Sequence, residues 1–220
     1  SDAIATLASM ASDARHRRSG PTTNSLSHCF AFFVDYKQAF ELANSLAILH
    51  ILAADKNVKG LMLAWIKDYL SGRKGDTIVQ GIQSDEFPLE NGTPQGSVLS
   101  PFLFNILIDK ILKMIEHQLG EKASPRVTII AYADDIVLIS NHPHAPHLLT
   151  KALHALELAS NILGLKINIQ KTKAMAWTHT HWLPDFCFKI YNQQIEWVRE
   201  FKYLGVIFDG NLSFIPHAHH

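Results

Sequence analysis

The stretch Val127-Thr-Ile-Ile-Ala-Tyr-Ala-Asp-Asp-Ile-Val-Leu-Ile-Ser140 decides the fold. Two apolar, β-favouring runs flank a pair of acids, Asp134 and Asp135, so the segment reads as two strands meeting at a tight turn. A second run, Phe30-Ala-Phe-Phe-Val-Asp35, is equally apolar and also stops at a carboxylate. A carboxylate beside buried strands is costly unless its charge is compensated. If the hairpin and the strand are neighbours, Asp35, Asp134 and Asp135 converge on one sheet edge. Such a cluster is stable chiefly with divalent cations bound, and hard oxygen ligands suit Mg²⁺. Two cations on shared carboxylates can activate a hydroxyl and stabilise the leaving oxygen of an in-line phosphoryl transfer. An Asp-Asp pair alone is also ordinary turn chemistry, so the accompanying residues must decide.

Working outward, residues 2–16 place Ile4, Leu7, Ala8 and Ala11 on one helical face, ending in the basic run Arg15-His-Arg-Arg18. Residues 37–54 and 57–70 read as helices, the second stopped by Gly72, and 76–89 as short strands. Ser100-Pro101 opens a further helix, with the Ser as cap, running to about Leu119. Residues 147–163 are amphipathic, with Leu149, Ala152, Leu153, Leu156 and Ala159 on one face. Lys166–Gln170 alternates as a strand does, and Phe201–Phe208 is the last structured piece. This order predicts an α+β domain: an antiparallel sheet with helices packed on one face.

The 220 residues are 47% hydrophobic and 18% charged, which excludes disorder for most of the length. Twenty basic residues balance twenty acidic ones, so no bulk charge points to nucleic acid. Cys29 and Cys187 cannot build a disulfide framework and read as packed thiols in a reduced setting. No apolar stretch reaches membrane-spanning length. The first residues lack an initiator Met and a signal-peptide pattern, as the interior of a longer protein would. The tract His142-Pro-His-Ala-Pro-His147 reads as an irregular exposed loop and His217–His220 as a frayed end. Arg15–Arg18 and Lys67, Arg73 and Lys74 suit either phosphate contact or a solvated helix end.

Five segments together resemble the motifs of reverse transcriptases, in that family's order. Phe33-Val-Asp35-Tyr-Lys-Gln-Ala-Phe40 resembles the first catalytic motif. Gly92-Thr-Pro-Gln-Gly-Ser-Val-Leu-Ser-Pro-Phe-Leu-Phe-Asn105 is similar to the second, in its non-LTR retrotransposon form. Ala131-Tyr-Ala-Asp-Asp135 resembles the Tyr-X-Asp-Asp box, Leu163–Lys173 the motif after it, and Phe201-Lys-Tyr-Leu-Gly205 the primer grip. The resemblance covers roughly residues 28–209.

It implies a polymerase palm, with Asp35, Asp134 and Asp135 catalytic and, with the Tyr36 carbonyl, binding Mg²⁺ or Mn²⁺. It implies that Phe40 selects deoxynucleotides by crowding a ribose 2′-hydroxyl. Gln95 and Gly96 would pack on the templating base and the dNTP, Gly96 by permitting close backbone approach. Lys171 would meet the pyrophosphate. Tyr132, Phe201, Lys202, Tyr203, Leu204 and Gly205 would hold the primer strand. Implied partners are an RNA template, a DNA primer and dNTPs, with fingers, thumb and endonuclease segments elsewhere in a full-length protein. The implied setting is intracellular, the nucleus being natural for such an element. The matching divisions are 1–29 as a fingers/palm junction, 30–200 as palm, and 201–220 as primer-grip hairpin and start of the thumb. The family's further Asp after Phe40 is here Glu41. A group II intron maturase shares these motifs, and a decayed copy would at most bind nucleic acid. The helical spacer between Phe40 and Gly92 and Ser71-Gly-Arg-Lys74 favour the retrotransposon.

Overall fold

A strand that is apolar at every position needs cover on both faces, and Cys29–Val34 is buried at all six residues. The computed structural model describes residues 2–16, 28–94, 96–178 and 186–212. Helix α1 (Asp2–His16) precedes β1 (Cys29–Val34), which is followed by α2 (Ala39–Leu42), α3 (Ser45–Ala54) and α4 (Gly60–Leu70). Four two-residue strands come next: β2 (Lys74–Gly75), β3 (Ile78–Val79), β4 (Ile82–Gln83) and β5 (Phe87–Pro88). Helix α5 (Ser100–Leu119) leads to β6 (Thr128–Tyr132), β7 (Asp135–Ser140), α6 (Ala145–Ile162) and β8 (Lys173–Trp177). The chain closes with β9 (Lys189–Ile190), β10 (Gln193–Gln194), β11 (Glu196–Trp197), β12 (Glu200–Tyr203) and β13 (Val206–Asp209). It is an α+β chain, as the order of segments predicts.

Two compact units make it up, one of residues 1–36, 112–159 and 167–220, the other of 37–111 and 160–166. In the first, five strands lie in the order β11-β8-β1-β7-β6. All pairings are antiparallel except β11 with β8. Cys29, Ala31 and Phe33 of β1 form one core with Val137, Ile139, Met175 and Trp177 of the neighbouring strands. That face is covered by Leu7, Ala11 and Ala14 of α1 and by Tyr203 and Phe208 of the β12–β13 hairpin. Phe33 stacks on Phe201 at 4.3 Å, and the Trp177 indole donates to the Asp209 carbonyl at 3.0 Å. These contacts fasten the hairpin to the sheet. The predicted apolar face of α6 is buried throughout. The helix begins at Ala145, with Pro146 in its first turn, so the end of the His142–His147 tract is helix rather than loop.

In the second unit the helix expected over 37–54 is two. Ala43 is extended (ψ 118°), and Asn44 caps α3 by accepting the Ala47 N–H at 2.9 Å. The Ala43 carbonyl accepts the Gly92 N–H at 2.7 Å, a tertiary bond that helical backbone at that position would forbid. Asn57 and Gly60, both left-handed, delay α4 to residue 60. Ser100 does not cap α5: the Leu103 N–H bonds the Leu99 carbonyl, so Ser100 lies in the first turn and its hydroxyl donates to the Pro94 carbonyl. The β3–β4 hairpin turns on Gln80-Gly81, both at positive φ, as a two-residue hairpin of this hand requires.

Candidate active site

Register brings two of the predicted acids together. Strands β1 and β7 pair as far as Val34 with Ile136, so the next step sets Asp35 opposite Asp135. Alternation puts both on the face of Phe33 and Val137. Asp134 occupies the two-residue turn between Tyr132 and Asp135, which pair with each other. The other turn residue, Ala133, has φ 53°, a region that costs an L residue about 1–2 kcal/mol. The sharp turn, not the strand, therefore fixes Asp134.

Burial raises the Asp35 carboxyl above its ordinary pKa, opposed by the Lys171 charge and an Asn168 side-chain hydrogen bond and reinforced by Asp134. Burial also raises Asp135, with the charges of Asp134 and Asp35 adding to it. The three acids are thus electrostatically coupled. One oxygen of Asp35, Oδ2, is buried without a hydrogen-bond partner among the described residues. The rest of Asp35 is clasped: its N–H donates to Thr172 Oγ1 at 3.3 Å, and its carbonyl accepts the Asn168 N–H at 2.7 Å.

That clasp replaces the strand expected over 166–170. Only Ile167 makes a ladder contact, a single antiparallel bridge to buried Tyr36. Asn168 then turns the chain, its Oδ1 accepting the Lys171 N–H and its carbonyl the Thr172 N–H. Asn side chains favour such local turns over ladder pairing. Asn168 and Thr172 are site residues that alternation along the sequence missed.

A cavity of ≈ 430 Å³ opens beside the acids, lined among others by Asp35, Asp135, Lys171, Phe201, Lys202 and Tyr203. Lys171 and Lys202 are exposed. Lys173, also on the wall, is paired with Glu196 at 2.6 Å. Tyr203 is buried, and its hydroxyl has no partner among the described residues. Burial, with the Asp135 charge adding, pushes that hydroxyl up to about 12. Leu204 and Gly205 are the left-handed turn of the β12–β13 hairpin. Tyr132 is 58% exposed at the end of β6.

Phe40 and Gly96 belong to the other unit, and Gln95 lies outside the described residues. Phe40 is half-buried against Phe104, ring centroids 4.6 Å apart. Within this unit the tight approach of backbone to backbone is at Gly92. A Cβ at Gly96 would meet nothing within 4 Å, whereas one at Gly92 (φ +90°) would lie 2.7 Å from the Glu41 carbonyl and 2.9 Å from that of Phe40. Arg73 donates to the Asn91 and Gly92 carbonyls, both at 2.7 Å, and Lys74 pairs with Glu86. Both are engaged within the fold as it stands.

Asp35 and Asp135 suit a hard divalent cation: both are carboxylates on a shared cavity, and one has an orphaned buried oxygen, while Asp134 is not on that cavity's wall. Among the described residues no three His, Cys, Asp or Glu side chains are yet gathered closely enough to hold a metal ion. Cys29 is buried and its thiol pushed up by that burial, as a packing residue. No helix among the described residues is long and apolar enough to cross a membrane.

Residues 3–208 match the model of the family described as reverse transcriptase (RNA-dependent DNA polymerase). A Pol polyprotein from type-2 retrotransposable element R2DM of Drosophila melanogaster is 31% identical over 65% of this chain and 13% of its own length. The RNA-directed DNA polymerase from mobile element jockey of Drosophila funebris is 29% identical over 84% of this chain and 20% of its own. A protein of type-1 element R1DM of Drosophila melanogaster is 27% identical over 92% and 19%. The chain thus spans a fifth or less of these relatives. Among solved structures, apo telomerase from Candida tropicalis superposes with TM-score 0.61 at 13% identity, over 95% of this chain and 38% of that one. The fold is that of a polymerase palm. The chain belongs to the reverse transcriptase family, and these relatives are proteins of non-LTR retrotransposons.

Proposed function

We propose that this chain is the palm of an RNA-directed DNA polymerase, joining a primer 3′-hydroxyl to the α-phosphorus of a dNTP on an RNA template. The observation that carries the reading is the β1–β7 register ending at Val34–Ile136, one step short of Asp35 and Asp135, with Asp134 in the adjoining turn. Asp35, Asp134 and Asp135, with the Tyr36 carbonyl, would hold Mg²⁺ or Mn²⁺. Once bound, the cations supply hydroxyl activation and charge neutralisation. Lys171, whose charge already reaches Asp35, would face the departing pyrophosphate. Phe40 would exclude a 2′-hydroxyl, and Gln95 and Gly96 would border the template base. Tyr132 and the Phe201–Gly205 hairpin would hold the primer end, through stacking and phosphate contact. In this reading residues 30–200 are palm, 1–29 its junction with the fingers, and 201–220 the primer grip running toward the thumb.

The test is primer extension on an RNA template by the protein that carries this chain. Asp134→Asn should cut extension by several orders of magnitude and leave template binding nearly intact, because phosphate contacts elsewhere carry affinity. Equal extension by variant and parent at saturating Mg²⁺ refutes the reading.

A further inference from the structure

The Tyr203 hydroxyl is a buried polar group that neither the core nor the proposed chemistry accounts for. The ring is well explained: it is 3% exposed, ends β12 opposite Val206, and lies 5.7 Å from the Phe33 ring. A phenylalanine would make those contacts equally well. The hydroxyl adds a donor that is sealed from solvent and bonded to nothing among the described residues. Buried donors are nearly always satisfied, so an unmatched one asks for its acceptor. Tyr203 and Asp135 line the same cavity, and the charge acting on this hydroxyl is that of Asp135. By alternation from Val137, Asp135 falls on the sheet face that the β12–β13 hairpin covers, one step beyond the Val34–Ile136 pair.

We propose that Tyr203 is a positioning residue for Asp135, its hydroxyl donating to the Asp135 carboxylate when a divalent cation occupies the acidic cluster. The hairpin, and not the β6–β7 turn alone, then selects which carboxylate oxygen meets the cation. The inference rests on the acids being a cation site, as proposed above. It adds that the primer-grip hairpin and the acids are mechanically one device: displacing the hairpin loosens the cation. Hydrogen-bond partners behind a metal ligand typically change metal affinity ten- to a hundredfold.

The probe is Mn²⁺, its free-ion electron paramagnetic resonance signal followed during titration into the 220-residue chain. Tyr203→Phe should weaken Mn²⁺ binding about tenfold while leaving the thermal stability of the metal-free chain unchanged or raised. In an Asp135→Asn background the same substitution should have no further effect. Unchanged affinity in Tyr203→Phe, with Asp35→Asn abolishing binding, overturns the role of Tyr203 and spares the cation site. Unchanged affinity in Asp35→Asn overturns the cation site itself. A Tyr203→Phe defect that persists with Asp135→Asn, or that accompanies lost metal-free stability, shows that the tyrosine acts only through packing.

Discussion

Replacing Gly92 by Ala tests how the second unit holds Phe40. The new Cβ would sit 2.7 Å from the Glu41 carbonyl oxygen, 2.9 Å from the Glu41 Cα and 2.9 Å from the Phe40 carbonyl oxygen. All three are backbone atoms, so no rotamer change relieves the clash and one segment must move away. Moving it breaks two bonds, Gly92 N–H to the Ala43 carbonyl at 2.7 Å and Thr93 N–H to the Phe40 carbonyl at 2.9 Å. Each contributes about 1 kcal/mol net. The left-handed φ adds roughly 1–2 kcal/mol for any L side chain, and the stiffer unfolded chain returns about 0.4–1 kcal/mol. The expected loss is therefore about 2–3.6 kcal/mol, a large share of the roughly 5–15 kcal/mol that a domain possesses. Gly96→Ala is the internal control. It also has positive φ, at +77°, but open space around the new Cβ, so its loss should stay under about 1.6 kcal/mol. Urea denaturation followed by circular dichroism measures both. Equal losses in the two variants would show that the close approach of 92 to 40–41 is not what holds this unit together.

Asp35 and Asp135 both titrate above the ordinary carboxylate range, chiefly through burial. The folded chain then binds more protons than the unfolded one, so metal-free stability should fall as pH rises through the two folded pKa values. Thermal unfolding across about pH 4–7 should show that slope, flattened by Asp135→Asn and offset by Mg²⁺; a slope of opposite sign removes the electrostatic picture. Phe40→Ala should relax the preference for dNTPs over ribonucleotides in primer extension. An unchanged preference in a folded variant would leave Phe40 only its contact with Phe104.

The acids were legible because two signals coincide in one stretch. An apolar run fixes a strand, and the carboxylate that ends it fixes the strand's end, so Asp35 and Asp134–Asp135 mark a sheet edge before any pairing is known. The apolar face of α6 was legible for the same reason, since its period is intrinsic to the helix. What stayed hidden depends on partners distant in the chain. The break at Ala43 answers to Gly92, forty-nine residues on, and nothing within 37–54 announces it. Asn168 reads as one member of an alternating strand until the Asp35 carbonyl claims its N–H. The tightness of Gly92 beside the open Gly96 was invisible because both glycines occupy the same turn-rich motif. Only the backbone opposite Gly92 distinguishes them.

The electrostatics of the edge explain why these residues remain poised rather than paired. Lys171 is the cation whose charge reaches Asp35, yet burial outweighs it and the carboxyl is still raised. Lys173, which shares the cavity wall, is committed to Glu196 and to the Gln170 carbonyl. Among the described residues, the Lys171 charge is thus too weak to offset the burial of Asp35. A lysine salt-bridged to Asp35 would stabilise the free protein and would occupy the oxygens that a divalent cation needs. An unmatched Asp35 Oδ2 and an unmatched Tyr203 hydroxyl on one cavity are the expected cost of keeping that position open. Under the proposed function, a divalent cation would supply the positive charge that the burial of these carboxylates calls for and that Lys171 does not match.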